Sequence, residues 1–167
     1  MSDASERMAQ AFDRGFAQPL AVAGEAPVRM AAIRVGESRF VLPLDQLDAI
    51  EFGRAIGRLP GAVAPLIGVA GLRSRILAVF GLHALLGVGG SEQPRWLAVV
   101  GGDRPIGLAF DELLGQRSAH TADYKPVQAG DGRGGLVSSA VSLDGALHGV
   151  LDVSALLLRL RGRTIGS

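Results

Sequence analysis

Short apolar runs separated by turn residues recur along most of this chain and limit the folds that it can adopt. From Met30, apolar and polar residues alternate with a period of two on either side of residues 36–38 (Gly-Glu-Ser), which predicts a β-hairpin. Similar pairs of runs flank residues 101–103 (Gly-Gly-Asp) and Asp144-Gly145, and the second of these turns suits type I′ geometry. In total, about ten short strands at hairpin spacing favour closed or nearly closed β-barrels over a parallel sheet.

A polar corner interrupts the most apolar part of the chain, which extends from Leu59 to Gly87. Residues 73–75 (Arg-Ser-Arg) join one apolar run, 66–72, to the next, 76–82. Burying an unpaired guanidinium costs far more free energy than burial of its aliphatic stem recovers. We therefore expect Arg73 at an outward-facing turn with apolar flanks. A cation framed in this way suits a protein-docking surface, and it is also compatible with an ordinary loop.

The beginning of the chain has a different pattern. Residues 2–18 predict an amphipathic helix, because Met8, Phe12 and Phe16 recur on one helical face. Such a helix either packs on its own domain or docks to another protein. Residues 18–29 contain two prolines and a glycine and predict a linker.

Three further segments have clear local signals. Residues 81–87 suit a short helix that the last glycine ends, and residues 115–135, rich in small and polar side chains, predict a loop. Asp152 or Ser154 can cap a final helix, whose apolar side begins at Leu151.

The composition excludes several classes of function. Hydrophobic residues make up 48% of the 167 residues, enough for one domain or for two small subdomains with a common core. Seventeen basic and 16 acidic residues nearly cancel, so we expect no binding to nucleic acid. The absence of cysteine rules out disulfides, thiolate catalysis and cysteine-based metal sites. No apolar run is long enough to span a bilayer and the acidic N-terminus is unlike a signal peptide, so we expect a cytoplasmic protein without membrane insertion.

No group of side chains predicts an active site, a metal site or a cofactor site. His83, His120 and His148 lie far apart in the sequence, and neither a nucleophile elbow nor a phosphate-binding loop is present. Asp111 and Glu112 are adjacent, and neighbouring carboxylates on a strand point to opposite faces. The sequence therefore predicts a protein that is not an enzyme and needs no cofactor.

An ordered set of motifs resembles the CheW-like domain of bacterial chemosensory arrays over roughly residues 29–160. A first hairpin is followed by Leu59-Pro60, by the runs on either side of Arg73, and by Leu82-x-Ala84-Leu85-Leu86-Gly87. Residues 107–113 (GLAFDEL) and 147–157 (LHGVLDVSALL) resemble later strands and the closing helix of that family.

The resemblance implies a mainly β fold of two intertwined five-stranded SH3-like barrels. It also implies a non-enzymatic adaptor that couples methyl-accepting chemoreceptors to the regulatory domain of a CheA-type histidine kinase, recruited from the cytoplasm to membrane-associated receptor arrays. The chain then divides into an N-terminal helix and linker, the CheW-like domain and a C-terminal tail, at residues 1–28, 29–160 and 161–167.

The resemblance also implies two binding surfaces. The residues that it assigns to the receptor are Arg73, Ile67, Gly68 and Leu72, and those that it assigns to the kinase are Ile50 and Phe52. The alternative for Arg73 is a structural ion pair with a nearby carboxylate such as Asp111.

Some positions differ from the family pattern. These differences put the family's usual contacts with its partners in doubt, more than the formation of the two barrels. The family's glutamate before Ile50 is Ala49, and the residues that replace its polar and turn positions near Arg73 are Gly71, Ser74, Ala78, Gly81 and His83. Two alternatives therefore stay open: a divergent member that binds a single partner, and a small-ligand module that uses the groove between the barrels.

Overall fold

The computed structural model describes residues 26–127 and 133–166 and contains twelve strands. The predicted N-terminal helix, 2–18, lies outside the described residues. The strands are β1 (Val28–Val35), β2 (Ser38–Pro43), β3 (Ala49–Phe52), β4 (Ile56–Arg58), β5 (Leu66–Leu72), β6 (Arg75–Gly81), β7 (Trp96–Val100), β8 (Ile106–Phe110), β9 (Glu112–Ala119), β10 (Tyr124–Lys125), β11 (Val137–Leu143) and β12 (Ala146–Leu151). Two α-helices, α1 (Leu82–Leu86) and α2 (Val153–Gly166), complete the regular structure together with two short 3₁₀ turns. The prediction of a mainly β fold is confirmed.

The strands form two six-stranded sheets that interlock along the chain. The first sheet, called here the outer sheet, has the order β10-β11-β12-β2-β1-β9 and therefore uses both ends of the described chain. The central sheet has the order β3-β7-β8-β6-β5-β4. Each sheet has one strand more than the five expected, and the short strands β4 and β10 lie at sheet edges.

Both sheets repeat one pairing pattern. Three antiparallel strands meet three more through a single parallel pair, β12 with β2 in the outer sheet and β8 with β6 in the central sheet. The parallel pairs are short, and β2 meets β12 only at Phe40 and Val41. Each sheet is thus two antiparallel halves joined by a short parallel seam.

Four groups of buried side chains lie in and between the sheets of the described chain. One fills the outer sheet and includes Met30 and Val141, and two smaller ones lie in the central sheet, one with Leu97 and the other with Leu77. The fourth and largest lies between the sheets; its members include Ile33, Phe40, Phe80, Leu108, Phe110, Leu136 and Leu156. Because this largest core, the shared core, takes residues from both sheets, the two sheets pack on one common core.

Strand β1 contributes to two of these cores at once. Ala32 packs in the outer-sheet core, whereas its neighbour Ile33 packs in the shared core. Successive strand residues point to opposite faces, so a strand between two cores is apolar on both sides. That is why residues 30–33 are all buried.

Turns and helix ends follow their local signals closely. Asp144 and Gly145 both have positive φ, 51° and 79°, as the predicted type I′ turn requires. Helix α1 ends at Gly87, in the left-handed region at φ 70°. The carboxylate of Asp152 accepts a hydrogen bond from the backbone N–H of Ala155 at 3.0 Å, which confirms Asp152 as the N-cap of α2.

The predicted loop at residues 115–135 is wrong at its beginning and again at Tyr124–Lys125, which form β10 and pair with β11. Residues up to Ala119 belong to β9, which pairs with β1 from Arg34 and Glu112 to Val28 and Ala119. Small and polar residues have little strand preference of their own, and pairing along a buried neighbour strand overrides that preference. At the other end of the chain, α2 continues to Gly166, across residues that the sequence assigns to a tail.

Candidate functional site

Arg73 lies at the tip of the hairpin formed by β5 and β6. Leu72 pairs with Arg75, so that Arg73 and Ser74 form a two-residue turn. The φ angle of Arg73 is 58°, in the left-handed region that residues with a β-carbon rarely adopt. Its side chain is exposed, while the neighbouring Leu72 is 8% exposed and packs against Leu77 and Val99. The prediction of an outward-facing turn with apolar flanks is confirmed.

The guanidinium of Arg73 makes no hydrogen bond or ion pair with any residue in 26–127 or 133–166. The proposed structural partner, Asp111, is engaged elsewhere: its carboxylate accepts hydrogen bonds from the backbone N–H groups of Gly36, at 2.6 Å, and Ser91, at 3.1 Å. The structural ion pair between Arg73 and Asp111 is therefore absent. Arg73 is an exposed cation without a compensating carboxylate among the residues that the structure describes.

A cleft of about 230 Å³ extends from this corner to the edge strand β3. Its lining includes Leu72, Arg73, Asp48, Ala49 and Gly102. The carboxylate of Asp48 accepts a hydrogen bond from the N–H of Gly102 at 2.8 Å, which fixes the turn between β7 and β8 beside the hairpin tip. Arg73 thus lies on the rim of a cleft whose neighbouring turn is held by a hydrogen bond, rather than on an unsupported loop.

Arg75, next to the tip, is held by the same turn. Its guanidinium donates a hydrogen bond to the carbonyl oxygen of Asp103 at 2.8 Å. Of the two arginines at the corner, one therefore secures the hairpin and the other is left available.

The other predicted receptor-binding residues do not all lie beside Arg73. Ile67 and Gly68 are at the opposite end of β5, several residues along an extended strand. Gly68 is buried, and a β-carbon there would collide with the carbonyl oxygen of Gly57 on β4. Ile67 lines a separate depression of about 300 Å³ that also contains His83. The structure brings together Leu72 and Arg73, and it separates them from Ile67 and Gly68.

The predicted kinase-binding residues lie on β3, an edge strand of the central sheet. Ile50 is half-buried and packs against the shared core, whereas Phe52 is 56% exposed. The Phe52 ring packs against Trp96 with centroids 4.7 Å apart. Ala49 points to the opposite face, toward Leu72, so that β3 separates the cleft of Arg73 from the aromatic surface.

The three histidines and the acidic residues of the described ranges do not converge on one site. His148 is 3% exposed, and burial lowers its pKa below the ordinary 6.5, with a smaller lowering by the positive charge of Arg39. A hydrogen bond to the carbonyl oxygen of Ala146 acts in the opposite direction. Within residues 26–127 and 133–166 no group of three or more histidine, aspartate or glutamate side chains is placed to hold a metal ion. No helix in the part of the chain that the structure describes is long and apolar enough to cross a membrane.

Asp111 is the residue with an important role that the sequence did not reveal. Its two hydrogen bonds join the turn of the first hairpin to the loop after α1. The neighbouring Glu112 pairs instead with Arg34, at 2.8 Å, on a partly exposed surface. In the fold, the carboxylate lies between two glycine-rich turns and accepts a hydrogen bond from each. The two turns are distant from each other in the sequence, so the sequence did not reveal this role.

Two interlocked six-stranded sheets of the same pairing pattern, packed on a shared core, define a β domain built of two similar units. The family model of the CheW-like domain matches residues 29–161, and the chain belongs to that family. Its fold is similar to the crystal structure of the scaffolding protein TtCheW from Thermoanaerobacter tengcongensis, with a TM-score of 0.67 and 16% identity over 76% of this chain and 90% of that one. At this identity the likeness establishes the fold. No protein with a curated description matches the chain.

Proposed function

We propose that this protein is a non-enzymatic chemosensory adaptor that couples a methyl-accepting chemoreceptor to the regulatory domain of a CheA-type histidine kinase. Membership of the CheW-like family and the fold of a scaffolding protein support the adaptor role. In this role the protein acts in the cytoplasm, at receptor arrays on the membrane.

Arg73 is the observation that carries the proposal. A left-handed backbone conformation at a residue with a β-carbon costs about 1–2 kcal/mol, and the exposed guanidinium recovers none of this through a partner on the described chain. Such a residue stabilises its own fold little. It is well placed to meet an acidic or carbonyl-rich surface of another protein, and we assign it to the receptor contact together with Leu72. We assign Ile67, beside the buried Gly68, to a second receptor patch at the other end of β5.

Phe52 supports a second contact. A phenylalanine that is 56% exposed on an edge strand and braced by Trp96 has the properties of an aromatic anchor for a partner. We assign Phe52 and Ile50 to the kinase contact. Because the two surfaces lie on opposite faces of β3, one protein can engage both partners at once.

The receptor contact is tested with a purified cytoplasmic receptor fragment in biolayer interferometry. Arg73→Glu is expected to weaken binding by about tenfold or more, since it reverses a charge at the interface, and to leave the melting temperature nearly unchanged. Arg159→Glu, the same charge change at an exposed position of α2, is the matched control and should bind like the wild type. If the wild type associates with neither receptor nor kinase at micromolar concentrations, the proposal fails.

The kinase contact is tested separately with the isolated regulatory domain. Phe52→Ser should weaken this association strongly and leave receptor binding intact, while Val63→Ser, at a site 77% exposed, should change neither.

The separation of the two surfaces also supports a second candidate, an adaptor that has kept a single partner. Ala49, where the family has a glutamate, faces the cleft of Arg73 and offers no charge to a partner. Binding to the receptor fragment without binding to the kinase domain, or the reverse, would favour this candidate.

A further inference from the structure

A cleft of about 640 Å³ opens in the outer sheet where β2 and β12 diverge. These strands run parallel, and their register begins at Phe40 and continues to Val41 of β2. Before that point, Ser38 and Arg39 of β2 line the cleft together with Leu147 of β12. Two parallel strands that separate leave facing backbone edges to which an extended segment can add.

The floor of the cleft is apolar. Phe40 and Val137 lie at its base, and Ala140 lines it as well. Leu147 is 58% exposed at its side, a large apolar side chain that the described residues leave uncovered. A floor of this kind accepts apolar side chains from a bound segment.

The rim of the cleft is basic. Arg39, Lys125 and Arg133 line it, against a single carboxylate, that of Glu37. Arg39 and Lys125 form no ion pair with a described carboxylate. Three cations against one anion make the rim complementary to negative charge.

One of these cations is fixed in place. Arg133 donates a hydrogen bond to the carbonyl oxygen of Leu86 at 3.2 Å, and its guanidinium lies 6.0 Å from the centroid of the Phe40 ring. Part of the rim is therefore ordered before any partner binds, which lowers the entropy that binding costs.

We propose that this cleft binds an extended acidic segment of a partner protein, in which apolar and acidic side chains alternate. Alternate residues of a strand point to opposite sides, so one set meets the apolar floor beside Leu147 while the carboxylates meet Arg39 and Lys125. The site is on the outer sheet, apart from Arg73 and Phe52 of the central sheet. It goes beyond the coupling role and does not depend on it.

The test measures fluorescence anisotropy of a labelled octapeptide of alternating glutamate and valine, with the purified full chain and neither receptor nor kinase present. Saturable binding is expected below about 1 mM, weaker at higher salt because exposed charges are screened. A lysine-valine octapeptide should not bind. An octathymidylate, although it carries more negative charge than this peptide, should bind at least about tenfold more weakly, because it lacks the alternating apolar side chains.

Variants locate the binding. Arg39→Glu and Lys125→Glu should each weaken it by about tenfold, and Leu147→Ser should weaken it without a loss of melting temperature, since that side chain is largely exposed. Arg104→Glu is the control of equal charge change on the other sheet and should bind within about twofold of the wild type.

Several results would overturn the proposal: no binding of the acidic peptide, equal binding of the octathymidylate, or binding that neither charge reversal affects. Concentration-dependent dimers that Arg39→Glu abolishes, seen by analytical ultracentrifugation, would assign the cleft to a second copy of the chain instead.

Discussion

The carboxylate of Asp111 accepts a hydrogen bond from the backbone N–H of Gly36 at 2.6 Å, and so links the end of β8 in the central sheet to the first turn of the outer sheet. The same carboxylate accepts a second bond from Ser91 at 3.1 Å. One side chain thereby fixes how two turns from different parts of the chain meet beside the shared core.

Asp111→Ala should reduce the free energy of unfolding by about 1–3 kcal/mol, because the partly buried N–H of Gly36 then loses its acceptor. Urea denaturation followed by circular dichroism measures this change. Glu112→Ala is the matched control: it removes the exposed pair with Arg34 and should cost less than about 1 kcal/mol. Equal losses in the two variants would contradict the linking role of Asp111.

Acidification should destabilise the protein through His148. Burial lowers the pKa of His148 in the folded state below the ordinary 6.5, so the unfolded chain binds a proton first as the pH falls. Stability that is complete above about pH 6.5 is therefore lost progressively below it, until the folded histidine also protonates. Arg39 and Arg117 oppose that protonation, and Asp144 favours it.

The measurement compares unfolding free energies at pH 7.5 and pH 5.5 for the wild type and His148→Gln. The wild type should lose more stability than the variant over this interval, since carboxylates titrate in both. An unchanged slope in His148→Gln would exclude His148 as the group responsible.

Substitutions at Arg73 should show how much its left-handed backbone conformation costs in stability. Arg73→Gly should leave the protein as stable as the wild type or up to about 1 kcal/mol more stable, because glycine adopts positive φ freely. Arg73→Val should destabilise it by about 1–2 kcal/mol, since a β-branched residue is poorly accommodated at that angle. Thermal unfolding of the three proteins gives the order, and a glycine variant less stable than the valine variant would refute it.

Asp152→Ala should cost about 0.5–2 kcal/mol through loss of the N-cap of α2, and Asp152→Ser should restore most of that stability. Ser154→Ala, at an exposed position two residues further along the chain, should have little effect. Since α2 contributes Val153, Leu156 and Leu160 to the shared core, near-ultraviolet circular dichroism of Trp96 reports whether the core loosens as well.

Features that depend on neighbouring residues could be predicted from the sequence. The turn at Asp144-Gly145, the end of α1 at Gly87 and the cap at Asp152 each follow from one or two side chains and the backbone angles that those residues allow. The exposed corner at Arg73 also follows locally, because a guanidinium between two apolar runs has to reach solvent.

Features that depend on distant partners could not be predicted in the same way. Strand β9 exists because β1 lies beside it, and polar residues near Gln116 carry no sign of that neighbour. The role of Asp111 depends on Gly36, and all six strands of the central sheet lie between these two residues in the sequence. Whether Ile67 and Arg73 share a surface depends on the length of β5, and the structure places them at opposite ends.

The parallel seam between β2 and β12 has a consequence for how the protein is made. The hairpin of β1 and β2 leaves the ribosome early, yet its partners β9 and β12 are synthesised after the whole central sheet. Non-local pairing of this kind is slow to form, and the apolar faces of the first hairpin stay open while the chain is incomplete. A nascent chain stalled before β9 would therefore be a strong chaperone client.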